Sequence, residues 1–444
     1  MLFIFVCCNN DGDNGVDPDS EVETVIPEGN EQYLTTNSDY IFDQERLHTF
    51  ELNLPERTLA QIDANPAAEQ YVEGSLTFEG ETLSPVGIRY KGSVGAYVNC
   101  LSGSDIFDPS GRKTCTKLSM KIKINWNDPE ARFYKLRKLQ FHSQNLDPTQ
   151  MHERLGYWLF REMGVPAPHS VHARLVINGN YVGLFALTEQ IDGRFTRYHF
   201  DDGSGNLYKE IWPIDMHGRP YDEKEYLRHL KTNEEETPSA EMIRSFAEEI
   251  SGSDQSSIQN VISNWMDINE IIALAVVDRT IRADDGPFHW YCSGGGCSNH
   301  NYFWYEEPTA GKLHLIPWDL DNAFENLIDD ANPVTPVADP WGEITANCEP
   351  FSYGPWQIRQ RSAACDKLTA GWVSFNAEYQ QQKEQFISGP FSEVQVNQLL
   401  ETWIAQIRGA TIEANQAHSD AISISEWENA LDNFRLKLDF ARNN

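Results

Sequence analysis

Two aspartates stand two residues apart in Pro317-Trp318-Asp319-Leu320-Asp321, just after an apolar run that closes at Ile316. Acids at i and i+2 beyond a strand end can put one or both carboxylates on a metal ion. Upstream, His300-Asn301-Tyr302 offers an amide oxygen as a neutral ligand. Further upstream, Asp284-Asp285-Gly286 sets a carboxylate at a turn, where it could take a proton from an attacking hydroxyl. Magnesium favours such oxygen ligands and usually shares them with the phosphates of a nucleotide. A base, an amide oxygen and a metal-holding acid, in that order, are the working parts of a phosphotransferase site. The same acids could equally cap helices and close turns, and an Asp-x-Asp pair taken alone does not separate the two readings.

These residues need elements to hold them. Residues 48–54 alternate apolar and polar as a strand does, and 55–65 follow as a short helix. Residues 71–83 and 86–90 read as paired strands around Glu79-Gly80-Glu81. Residues 117–124 alternate strictly, with Lys117, Ser119, Lys121 and Lys123 on one face and Leu118, Met120, Ile122 and Ile124 on the other. A helix is expected from Asp147 as N-cap and Pro148 at its first position, ending at Gly164 and Pro166. Strands over 171–177 and 181–188 flank an Asn178-Gly179 hairpin turn. Residues 221–270 are polar and mostly helical in pattern, and 267–277 form a helix with an apolar second half. Residues 303–305 and 312–316 make a second hairpin, and the chain from 366 onward is helical.

The chain has 444 residues, a 40% hydrophobic share and 12 tryptophans, enough for a buried core. A net charge of −32 argues against a nucleic-acid partner. No apolar stretch reaches the 18 or so residues of a membrane-spanning helix. Residues 1–8 are apolar and read as the remnant of a signal peptide or a lipoprotein-type start, with Cys7 and Cys8 closing the run. Residues 9–45 follow as an acidic flexible linker and 46–444 as the globular body. The expectation is an exported protein, extracellular or at the cell surface and possible as a lipoprotein. The other cysteines form three sequence-local pairs around polar loops, Cys100 with Cys115, Cys292 with Cys297 and Cys348 with Cys365. Disulfides there suit an oxidising compartment. A zinc reading has no Cys-x-x-Cys behind it.

In order along the chain, several blocks resemble the CotH (spore coat protein H) kinase family. They are Arg89-Tyr90-Lys91-Gly92-Ser93, the 117–123 strand, and the Asp147 helix ending Phe160-Arg161-Glu162-Met163-Gly164. Ile177-Asn178-Gly179, Tyr181-Val182-Gly183-Leu184, Glu189-Gln190-Ile191-Asp192 and Asn206-Leu207-Tyr208-Lys209 continue the order. Asp285-Gly286, His300-Asn301-Tyr302 and Pro317-Trp318-Asp319-x-Asp321 complete it, so that the blocks run from about residue 86 to 325. Three departures stand out. A Cys292–Cys297 loop separates Asp-Gly from His-Asn, Glu325 stands where glycine is frequent, and His152 fills a basic position early in the Asp147 helix.

The resemblance implies an α+β fold, a diverged two-lobed protein-kinase-like architecture. Mixed β hairpins would make its N-terminal lobe, a mainly helical part its C-terminal lobe, and the usual Gly-rich loop would be absent. It implies transfer of phosphate from ATP, with Mg²⁺ or Mn²⁺, to Ser/Thr of a protein, as in relatives of spore-coat assembly or the cell surface. Carried over, Asp285 is the base, with Asp284 as its alternative, and Asp319 the principal metal ligand beside Asp321. Asn301 is a second metal ligand or orients the base. Lys91, Gly92 and Ser93 cover the phosphates, and Lys117 or Lys121 pairs with the phosphates and with Glu153. Glu189 joins the nucleotide-binding set. A second reading is a catalytically silent surface-binding or adhesion protein on the same fold, since ATP is scarce outside the cell.

Overall fold

A computed structural model describes residues 37–92, 95–103, 105, 107–234 and 238–444. The 1–8 start, the 9–36 part of the expected linker and Ser93 lie outside the described residues.

The alternating segments of the N-terminal part become seven strands: β1 His48–Asn53, β2 Val72–Phe78, β3 Glu81–Tyr90, β4 Met120–Lys123, β5 Lys138–His142, β6 Ser170–Ile177 and β7 Asn180–Thr188. They close into a barrel in the order β1-β2-β3-β4-β5-β7-β6. The seam is the parallel pairing of β1 with β6, in register at Phe50 and Leu175, and every other pair is antiparallel. Asn178 and Gly179 turn the β6–β7 hairpin with φ of 50° and 75°, the left-handed pair that a two-residue turn of this hand needs. Inside, Leu118, Met120, Ile122 and Ile124 are all buried, as their alternation requires. The opposite face of β4 is covered too: Ser119 is 6% and Lys121 only 3% exposed.

Helix α1, Glu56–Ala64, links β1 to β2, and α2, His152–Glu162, lies between β5 and β6. The start of α2 differs from expectation. Asp147 does accept backbone N–H bonds, from Thr149 (2.9 Å) and His152 (2.8 Å), but residues 148–151 form a turn rather than helix, with Gln150 left-handed at φ 63°. One carboxylate thus ties a turn to the first helical amide instead of capping a helix beside it. Residues 37–45 also differ from the linker reading. Ile41 and Phe42 are buried in the barrel core, and Gln44 accepts from buried Arg154 at 2.9 Å, because both apolar side chains find a cleft to fill.

The C-terminal part holds α3 Gly193–His199, β8 Leu207–Lys209, α4 Glu223–Arg228, α5 Glu241–Gly252, α6 Ile258–Trp265 and α7 Ile268–Ile281. The strands β9 Trp290–Ser293, β10 Gly296–Ser298, β11 Tyr302–Glu307, β12 Lys312–Pro317, β13 Phe351–Tyr353 and β14 Ile358–Arg361 follow. Helices α8 Lys367–Val373, α9 Asn376–Ser388, α10 Glu393–Ala417 and α11 Ile424–Asn443 complete it. Helix α7 is apolar on every side and buried from Ile271 to Val277, so it serves as the axis of this lobe. A three-stranded sheet, β12-β11-β8, and a four-stranded one, β10-β9-β14-β13, stand beside the helices. The result is the expected two-lobed α+β architecture, a β lobe followed by a largely helical one. Helix α10 bridges them, with Tyr181 of β7 donating to the Ala410 carbonyl at 3.1 Å and Gln406 accepting from Arg154 at 2.8 Å.

The three expected disulfides, Cys100–Cys115, Cys292–Cys297 and Cys348–Cys365, are present. Among the described residues, no helix is long and apolar enough to cross a membrane.

Candidate active site

Strand β12 ends at Pro317, and the chain turns sharply at Asp319, which is left-handed at φ 58°. Its amide donates to the buried Tyr157 hydroxyl of α2 at 3.0 Å. His152 of the same helix contacts the Asp321 carbonyl through Nδ1 at 2.9 Å. Asn301 (φ 60°), Phe324 (φ 68°) and Glu210 (φ 54°) are left-handed as well. Each such conformation costs a non-glycine residue about 1 kcal/mol or more, and outliers of this kind gather where function fixes the backbone.

Asp285 leaves α7 through the Arg282–Gly286 turn and meets four donors. Tyr291 Oη donates to its Oδ1 at 2.5 Å and His300 Nε2 lies 3.0 Å from the same oxygen. Asn301 Nδ2 and Asn322 Nδ2 approach Oδ2 at 3.1 and 3.3 Å. Burial alone would raise this carboxyl, but His300 and Tyr291 outweigh it and hold it below its ordinary range. Asp284, the alternative base, is fully buried and clamped by Arg282 at 2.8 Å and Arg279 at 3.3 Å. Its neighbour Asn326 adds a contact at 3.3 Å, so its charge is spent inside the lobe.

The remaining acids crowd one another. Asp319 is pushed up by burial, by Glu153 and by Asp285, with Lys91 and His142 opposing. Asp321 is pushed well up by burial, then by Asp319, Glu153, Asp285 and Glu325. Glu325, where glycine was the resemblance's residue, thus adds another like charge and is itself raised, chiefly by burial. On the barrel side, the Lys91 ammonium touches Gln140 Oε1 at 3.1 Å and His142 Nε2 at 2.7 Å and lies 5.4 Å from the Trp318 ring centre. His142 Nδ1 in turn meets Glu153 Oε1 at 2.7 Å. Glu153 is 1% exposed, and its Oε2 has no hydrogen-bond partner among the described residues. Burial lowers Lys91 even so, with Asp319 and Glu153 the largest opposing charges.

Lys91, Glu153, Asp285, Asn301, Asp319 and Asp321 therefore converge from both lobes. Gly92 sits at the edge of this group, its amide bound to Glu69 Oε1 at 2.8 Å. An added Cβ there would come within 2.6 Å of Ala96 Cβ. Other expected residues are placed differently. The Lys117 ammonium donates to the Leu184 carbonyl at 2.9 Å, so the side chain that bridges a lysine to Glu153 is His142, and that lysine is Lys91. Lys121 is buried on β4 opposite Arg89 and Gln140. Glu189 has His169, His199 and Arg194 as hydrogen-bond partners, none of which belongs to the Lys91–Asp319 group. Among the described residues, the group of His, Cys, Asp or Glu whose ligand atoms all lie within 4.8 Å of one another is His169, Glu189 and His199, not the Asp319–Asp321 pair.

The sequence pattern singles out none of His142, Tyr157, Tyr291 and Asn322. Tyr291 carries the one readable signal, since it precedes Cys292 of the loop inserted between Asp285 and His300. Residues 88–442 match the protein family described as CotH kinase protein. No curated protein matches the chain.

Proposed function

We propose, from the premise that this chain belongs to the CotH kinase family, that it transfers phosphate from ATP to a Ser or Thr hydroxyl of an exported or surface protein. One observation carries the reading. A lysine, four carboxylates and an amide from two lobes meet at one place, and two of the acids, Asp319 and Asp321, are pushed up by burial and by their acidic neighbours, as they would be where a cation is meant to sit. The donor set fits a magnesium or manganese nucleotide: oxygen ligands on Asp319 and Asp321, a buried Glu153 oxygen without a partner among the described residues, and an ammonium close by.

In this reading Asp319 and Asp321 hold the metal. Lys91 faces the phosphates, with Gly92 beside it, and His142 links it to Glu153. The bound nucleotide would supply the transferable phosphoryl group and the ion its charge compensation. Asp285 accepts the hydrogen bond of the acceptor hydroxyl and then its proton. Its low affinity for protons keeps it ionised at neutral pH, and a loose phosphoryl-transfer transition state asks more for orientation than for base strength. Asn301, which donates to both the Asp285 carbonyl and carboxylate, holds that base in place. Three disulfides support an oxidising compartment.

The test is incubation of purified protein with γ-labelled ATP, Mg²⁺ or Mn²⁺ and a generic Ser/Thr-bearing acceptor. Acid-stable label on Ser or Thr is expected. Neither label nor a nucleotide-induced rise in melting temperature, with either metal, would overturn the proposal in favour of a silent binding protein.

A further inference from the structure

His169 and Glu189 face each other one step beyond the last β6–β7 pair, Ser170 with Thr188, and Glu189 N donates to the His169 carbonyl at 2.8 Å. A cross-strand pair of this kind fixes two side chains on rigid backbone. The third member, His199, closes α3, whose first turn is capped by Asp192 accepting from Arg194 N (2.9 Å) and Phe195 N (3.3 Å). Glu189 Oε2 lies 2.9 Å from His169 Nδ1 and 3.1 Å from His199 Nε2. The other carboxylate oxygen, Oε1, is held by Arg194 Nη1 at 3.1 Å.

We propose that His169, Glu189 and His199 form a second metal site, for zinc or a similar divalent transition ion, which clips the barrel lobe to the first helix of the C-terminal lobe. Two imidazole nitrogens and a carboxylate oxygen are the donors that zinc, cobalt and nickel select, whereas magnesium keeps to oxygen. All three ligand atoms lie within 4.8 Å of one another. Around a tetrahedral ion with bonds of about 2 Å, ligand atoms sit roughly 3.3 Å apart, so small shifts admit the ion. Binding needs each imidazole to turn a lone pair toward the ion and carry its proton on the nitrogen turned away from Glu189. Arg194 fixes the non-ligating oxygen, the usual role of an outer partner to a ligating carboxylate. The Glu189 side chain is 1% exposed, but those of His199 and His169 are 10% and 24% exposed, which leaves one side open for entry and for a fourth ligand. The site spans residues 189–192, the segment by which the chain passes from β7 to α3.

Its test separates it from the nucleotide site. The full chain carrying Asp319→Ala and Asp321→Ala is titrated with zinc, and with cobalt for its visible absorption. One tightly held equivalent, a tetrahedral cobalt spectrum and a melting midpoint raised by a few degrees are expected. His199→Ala and, at the more exposed ligand, His169→Gln should each remove the bound equivalent and the midpoint rise while the folded circular dichroism of the metal-free protein stays. No zinc bound, or zinc bound equally by both histidine variants, would overturn the site without touching the kinase reading. A parent protein, with both aspartates intact, that holds zinc at this cluster yet transfers no phosphate would do the reverse.

Discussion

At Asp319 the two readings of an Asp-x-Asp pair part company. Asp319 accepts no backbone cap on the turn that follows it, and burial among like charges pushes its carboxyl up. Asp319→Ala should therefore abolish both phosphorylation and the thermal shift caused by Mg-ATP, while the metal-free protein loses no stability. A cap role would instead cost about 0.5–2 kcal/mol with or without nucleotide, visible as a lower urea midpoint. Asp285→Asn should stop transfer and spare nucleotide binding, since its partners Tyr291, His300, Asn301 and Asn322 are not the Gln140 and His142 that hold Lys91. Asp321 adds a pH signature. A carboxyl raised in the folded state binds protons more tightly than in the unfolded chain. Its stabilising contribution is whole below the ordinary value of 3.8 and is lost as pH rises through the raised one. Asp278 and Asp366, both pushed up to about 6 chiefly by burial, slope the same way. The measurement is thus a difference: between about pH 4 and pH 8, Asp321→Asn should lose stability less steeply than the parent. Equal slopes would mean that Asp321 is not crowded by its neighbours.

The turn over 147–152 is the element on which the barrel side of the site depends. Asp147 is 2% exposed and takes the Thr149 amide, the Thr149 hydroxyl and the His152 amide, all within 2.9 Å. The helix it starts carries Glu153 toward His142 and Tyr157 toward the Asp319 amide. Asp147→Ala would leave buried donors without partners, a loss of about 1–3 kcal/mol by urea titration. Asp147→Asn, which keeps an acceptor oxygen, should recover more than half. Phosphorylation should fall with Asp147→Ala even where the protein remains folded. A variant as stable and active as the parent would show that α2 is placed by its apolar packing alone. Elements with a clear period are the ones the sequence announces: the β6–β7 hairpin, the β11–β12 hairpin and α7. Strands β8, β9, β10, β13 and β14 are three or four residues long, too short for an alternation to show, and they exist because neighbouring strands supply their hydrogen bonds.

For the molecule as a whole, the packed body begins before the first strand. Ile41 and Phe42 fill the barrel core, and Gln44 satisfies Arg154, which is 0% exposed and also contacts His172 and Gln406. A chain beginning at Asn37 should melt with the full-length protein. One beginning at Leu47 should lose about 3 kcal/mol or more from the two apolar side chains alone, read as a lower melting midpoint. Equal midpoints for both would mean that 37–46 is a passenger. Arg154 connects this segment, the barrel and α10, so the shorter chain should also weaken the contact between lobes.

Period and turn chemistry determined the hairpins, the disulfide partners and the three places where acids could act, because each depends on residues close in sequence, while the α+β class came with the family resemblance. Local pattern also singled out the Asp284-Asp285 pair, Asn301, Asp319 and Asp321, which flank strand and helix ends, and the resemblance chose Asp285 over Asp284. What the tertiary structure alone decided is which charges meet. Lys91 rather than Lys117 lies near Glu153, with His142 between them. Asp284 is spent on two arginines, while its neighbour Asp285 meets Tyr291, His300, Asn301 and Asn322. Glu189 is drawn to two histidines by the β6–β7 register and α3. Partners of this kind are far apart along the chain, and no local pattern records them: a buried charge is settled by whatever the fold brings within a few ångströms of it.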